Sequence, residues 1–163
     1  MDLTSSFKIV KVLYLTLLGL TFGASIFAGA FTTSVIFHAN DYITSFSLSH
    51  FAMGELMSEI FRRLSYLVTL SVGAIVLFEG YHYFKKEQCG ILLILAIVAV
   101  ISGFLFSFYF IPTILEMQLE GSSITSSNAF ESIHRYSEMV FKFFTFSILG
   151  LLMTHQFKAL TKQ

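Results

Sequence analysis

Cysteine is almost missing from this chain: Cys89 is the only one in 163 residues. A single thiol excludes an intrachain disulfide and any multi-cysteine zinc or iron–sulfur site, and Cys89 reads as a plain loop or interfacial thiol. Charge is scarce as well. Asp, Glu, Lys and Arg make up 12% of residues, about half the usual share in soluble domains. The ten basic and ten acidic residues cancel, with no basic run or Arg-rich segment, which excludes nucleic acid as a partner. Catalytic signatures are absent too: there is no nucleophile elbow, no phosphate-binding glycine loop and no HExxH. The chain reads as non-enzymatic.

Long apolar runs are what it does have, at 55% hydrophobic residues and with Pro112 as the sole proline. Such runs with so little charge indicate an all-α fold, an integral membrane four-helix bundle forming a single transmembrane domain over 1–163. The expected spans are about 12–37, 60–82, 90–115 and 133–157, each long enough for the roughly 20 residues a bilayer requires. Lys8 and Lys11 before the first run, with Ala28-Gly29-Ala30 inside it, give it the look of a signal peptide. The apolar run nevertheless continues through Phe37, so a retained first helix is expected. Pro112 removes a backbone donor and is expected to kink or end the last turn of the third helix. Lys8, Lys11, Lys85, Lys86, Lys158 and Lys162 fall at the termini and middle loop, while the other two loops carry no Lys or Arg. The positive-inside rule then puts both termini in the cytoplasm of a bacterial inner membrane protein. The lipid bilayer is its immediate partner.

The first span is crowded with Gly19, Gly23, Ala24, Ser25, Ala28, Gly29, Ala30, Thr32, Thr33 and Ser34. Small residues let membrane helices approach closely. Gly19–Gly23 alone suggests a contact with a second copy, that is, a homo-oligomer. Because the small residues cover several faces, the expectation is instead a spacer between the second and fourth helices. An internal repeat is also legible. Glu59, Arg63, Ser65 and Val68 recur 72 positions on as Glu131, Arg135, Ser137 and Val140, and Gly23 and Thr33 recur 80 on as Gly103 and Thr113. Two parallel hairpin repeats would explain this.

Candidate chemistry gathers at the outer ends of the even-numbered helices. Glu131, Arg135, Glu138 and Lys142 form one stripe, and Glu55, Glu59, Arg62 and Arg63 another. Turning these toward lipid is costly, so they are expected to face each other or a wet cleft, as an inter-helix lock or as a site for a partner or small ligand. His38, His50, Met53, Met57, His134 and Glu138 lie on the same side. Imidazole with thioether sulfur is a donor set suited to Cu(I), so copper handling is an alternative. His82 and His155 near the inner face, with His38 or His134, would allow haem at two membrane surfaces. No cofactor is the primary expectation, with a small oligomeric transporter as a further alternative.

Three segments carry a family resemblance: FGASIFAGAFTTSVIFH, EIFRRLSYL, and ESIHRYSEMV after FYFIPTILEMQ. With them the chain resembles a bacterial family of four-helix membrane proteins carrying a domain of unknown function, related to the eukaryotic transmembrane protein linked to cisplatin tolerance. The resemblance implies a four-helix bundle in the inner membrane and no established activity. More distantly the chain is similar to the membrane domains of copper-resistance D proteins and HemJ-type protoporphyrinogen oxidases. Those families place a histidine early in the first helix, whereas residues 11–30 here hold none, so no catalytic role is carried onto His38.

Overall fold

The computed structural model describes residues 3–86 and 90–161. Cys89 and Lys162 lie outside them. Every regular element among the described residues is helical. Four helices are long and apolar enough to cross a membrane: α1 (Phe7–Phe37), α2 (His50–Phe84), α3 (Gly90–Leu119) and α4 (Asn128–Leu160). Single helical turns at Ala39–Tyr42 and Ser122–Thr125 sit in the two longer connections. The starts of α2 and α4 are capped alike: Ser49 Oγ accepts from the Ala52 amide at 3.1 Å, and Ser127 Oγ from the Phe130 amide at 3.2 Å. Each cap satisfies one of the amides that a helix start leaves without an intrahelical partner.

The helices pack in a ring following chain order, with α4 closing against α1 and the α3–α4 contact the most extensive. Along α1 the buried face is Tyr14, Leu18, Thr21, Ser25 and Ala28, at helical spacing. Val68, Ile75, Ala99, Phe144, Ile148 and Leu151 complete a fully enclosed core. The remaining faces expose large apolar side chains such as Leu20, Leu77, Ile94 and Phe146. A soluble protein rarely shows such a continuous apolar surface, but a membrane protein needs one.

Two departures from regular α-helix occur in α1 and α3, as π turns at Phe27–Thr32 and Phe106–Phe110. In α1, Thr32 and Thr33 hydroxyls donate to the carbonyls of Phe27 and Ala28, each five residues back, at 3.1 and 3.0 Å. In α3 the π turn lies just before Pro112. A proline has no N–H to give and its ring crowds the preceding turn, and the widened turn absorbs both. The helix therefore continues to Leu119 and does not end at Pro112.

The small residues of α1 do not act as the expected spacer. A Cβ added at Gly19 or Gly23 would meet nothing within 4 Å, and at Gly29 only Phe141, at 3.7 Å. The tight approach is at Gly103 of α3, where a Cβ would lie 2.5 Å from Val72 Cγ2 of α2 and 2.9 Å from Phe144 Cδ2 of α4. Gly150 of α4 is the second, with Leu95 methyls at 3.0 Å. The helix with clearance for α2 and α4 is thus α3. In α1, Gly19 and Gly23 are exposed and only Ser25 and Ala28 of the small set turn fully inward, alongside Thr21.

The hairpins share local geometry. Glu59–Arg63 and Glu131–Arg135 pair at 2.8 and 2.6 Å, and Ser65 and Ser137 each donate to the carbonyl three residues back at 2.7 Å. On α1 and α3 the buried positions correspond 78 residues apart, Tyr14 with Leu92, Leu18 with Ala96, Thr21 with Ala99 and Ala28 with Phe106. The residue identities suggested 80.

Candidate functional site

The end of the bundle opposite the chain termini carries all three arginines, on helices that begin well before their apolar parts. Arg62 meets both Glu59 oxygens, Nε at 2.6 Å and Nη2 at 2.8 Å, while Arg63 Nε takes Glu59 Oε1 at 2.8 Å. On α4, Arg135 pairs with Glu131 at 2.6 Å and Lys142 with Glu138 at 3.2 Å. His134 stacks on Phe130 and brings Nε2 to 3.4 Å from Glu138 Oε1. Every one of these pairs lies within a single helix. Among the described residues no ion pair joins the stripe of α2 to that of α4. Arg135 and Glu131 keep 72% and 66% of their side-chain surface exposed. The two stripes therefore do not form the inter-helix lock that their spacing suggested. Glu55 and Glu59 instead line a shallow cleft with Leu115, Gln118 and Leu119 between α2 and α3.

The residues considered for copper are dispersed. His38 is exposed with Nδ1 2.8 Å from the Ser34 carbonyl, and the His50 ring leans on Phe37 at 5.2 Å between centroids. Met53 and Met57 are buried side by side on one face of α2, one turn apart. Of this set the contacts join only His134 and Glu138. Among the described residues no three His, Cys, Asp or Glu side chains converge in a way that could hold a metal ion.

The best-built polar cluster is at the opposite end. Tyr14 Oη of α1 donates to Glu79 Oε1 of α2 at 2.8 Å, and His155 Nε2 of α4 lies 2.7 Å from the same oxygen. All three are buried, Glu79 to 3% exposure. Phe78 floors the cluster, stacked on Tyr14 at 4.2 Å and edge-on to His155 at 5.8 Å. Two turns further along, Ser71 and Thr21 hydroxyls meet at 2.6 Å, and Thr21 also donates to the Leu17 carbonyl at 2.9 Å. The single Thr21 proton is committed there, so Ser71 is the donor of the pair. These contacts fasten α1 to α2 and tie α4 to α2 across the bundle. His155 is legible in the sequence as a histidine near the lysine-bearing end, whereas Glu79 stands within an apolar run outside both charged stripes. An acid within an apolar membrane run is itself a signal of function or pairing, and that signal was available at Glu79.

The lysines 8, 11, 85, 86 and 158 all lie at this same end, within about two turns of the cluster. No curated protein and no solved structure matches the chain. Residues 16–123, which hold most of α1 and all of α2 and α3 with Glu79 among them, match a family described as a domain of unknown function, DUF4149. A match over well over half of its length, on a bundle of four membrane-length helices, places the chain in the DUF4149 family of multi-pass membrane proteins.

Proposed function

We propose that this is a non-enzymatic protein of the bacterial inner membrane, with both termini and the α2–α3 loop in the cytoplasm, whose outer charged stripes receive a partner or small polar ligand. The lysines at one end and their absence from the other two connections support the orientation. Helix length supports the platform. At 1.5 Å per residue, the 35 residues of α2 and 33 of α4 extend about 50 Å each, against about 30 Å of hydrocarbon. Some 20 residues counted from Lys85 reach Ser65, and from Lys158 reach Glu138. Glu55, Glu59, Arg62, Arg63, Glu131 and Arg135 then stand beyond the hydrocarbon. Wider kinship with the eukaryotic protein linked to cisplatin tolerance belongs to the same proposal and rests on the quoted motifs.

One observation carries the reading: the Glu59–Arg63 and Glu131–Arg135 pairs are each satisfied within their own helix and left exposed, so their outward faces are open to something outside the bundle. Photo-crosslinking in intact cells tests it. A photoreactive residue at position 135 is expected to give a discrete adduct that is lost on Glu59→Lys with Arg62→Glu, and no such adduct from lipid-facing position 146. Adducts of equal yield and pattern from both positions, or none from position 135, would overturn the proposal.

A further inference from the structure

We infer that Tyr14, Glu79 and His155 form a proton-binding site near the inner membrane surface, separate from the outer platform and resting on the proposed function only for the orientation that makes this end cytoplasmic. A carboxylate and an imidazole 2.7 Å apart, both less than a tenth exposed, share one hydrogen-bond axis. With Glu79 ionised and His155 neutral the cluster carries one negative charge. One added proton makes it neutral, held as imidazolium beside carboxylate or as neutral imidazole beside carboxylic acid. Transfer between Nε2 and Oε1 interconverts these two forms without changing net charge, while exchange with the cytoplasm changes it by one.

The surroundings suit such exchange. From α1, Tyr14 donates to the same oxygen and Lys11 lies one turn nearer the surface. From α2, His82 stands one turn below with its ring 4.9 Å from Phe78. From α4, His155 is followed one turn on by Lys158. The α3 wall offers only apolar side chains near Glu79, among them Leu93 and Ala96. Glu79 is six residues from Lys85, about 9 Å along the helix, so the proton's route to water is short. In the other direction the buried face of α1 continues with Thr21, joined to Ser71, and then Ser25. Ser25 Oγ is buried to 2% and has no hydrogen-bond partner among the described residues. A purely apolar seam would have held the helices without stranding a hydroxyl, since burying a polar group without a partner is destabilising. Its retention marks a polar track leading from the cluster toward mid-membrane.

The test is infrared pH-difference spectroscopy on the full-length protein reconstituted in phospholipid vesicles, scanned between about pH 5 and pH 9. The wild type is expected to show a buried carboxylic-acid carbonyl band that comes and goes with pH and is missing from Glu79→Gln. Tyr14→Phe keeps the ring on Phe78 and removes only the donor, so the fold is retained. It is expected to move the midpoint of that band by about one pH unit, a tenfold change in proton affinity. A helix clamp with no proton exchange would leave the Glu79 signal constant at every pH. That constancy, or a Tyr14→Phe midpoint equal to wild type, would overturn the inference even if Glu79→Gln failed to fold.

Discussion

Adding one methyl group at Gly103 should destabilise the bundle, while the same change at Gly19 should not. The Cβ of Gly103→Ala would lie 2.5 Å from Val72 Cγ2, 2.9 Å from Phe144 Cδ2 and 3.0 Å from Phe144 Cε2. Phe144 is fully buried and cannot swing away, and it is flanked by Phe141 and Ile148 in the same core. Overpacking of this kind costs about 1–3 kcal/mol. Alanine recovers about 0.5–1 kcal/mol through its better helix propensity, so the net loss is centred at about 1 kcal/mol and reaches at most about 2.5 kcal/mol. At Gly19 the added Cβ meets nothing within 4 Å, which leaves the propensity gain alone. Reversible unfolding in mixed detergent micelles would compare the two. Gly103→Ala is expected to unfold earlier than wild type and Gly19→Ala at the same point or later. Equal stability of Gly103→Ala and wild type would refute the close packing of α3 between α2 and α4. A Gly19→Ala protein as unstable as Gly103→Ala would show that the outward face of α1 is in fact packed.

Other outcomes follow from the same geometry. Arg135→Ala is expected to leave the thermal midpoint in detergent unchanged, since among the described residues Arg135 pairs only with Glu131, on an exposed helix face. The charge spacing alone suggested a loss of stability, and a clear loss would restore the inter-helix lock. Tyr14→Phe removes one hydrogen bond between α1 and α2 and should cost about 0.6 kcal/mol, at most about 1.7, measured by the same unfolding assay. In a Cys89→Ser background, Ser123→Cys should react with an impermeant maleimide in intact cells and Thr161→Cys only after permeabilisation. Labelling of both from one side would show that α4 does not cross the membrane and would exclude the four-span topology. His134→Ala should leave Cu(I) affinity of the purified protein unchanged, because Met53 and Met57 are buried on another helix; a tenfold or larger loss would show that the histidine is a ligand.

Hydropathy and charge, which depend on the chain alone, determined the number of helices, the all-α membrane fold and the segregation of lysines from arginines. These properties are one-dimensional: an apolar run of about 20 residues spans a bilayer whatever its neighbours are. Local spacing likewise made Glu131–Arg135 and His134–Glu138 legible, because residues four apart always share a helix face. Which face turns inward was another matter. The small residues of α1 occupy several tracks, and the sequence does not say which of them meets a neighbour. Only packing selected Thr21, Ser25 and Ala28 and left Gly19 and Gly23 outside, while giving the clearance to Gly103 and Gly150. The partners of Glu79 come from 65 residues before it and 76 after it. No periodicity reaches that far. Their meeting is a consequence of α1 lying against both α2 and α4 at the lysine-bearing end, with Glu79 and His155 reaching each other across the bundle, which the tertiary structure alone decides.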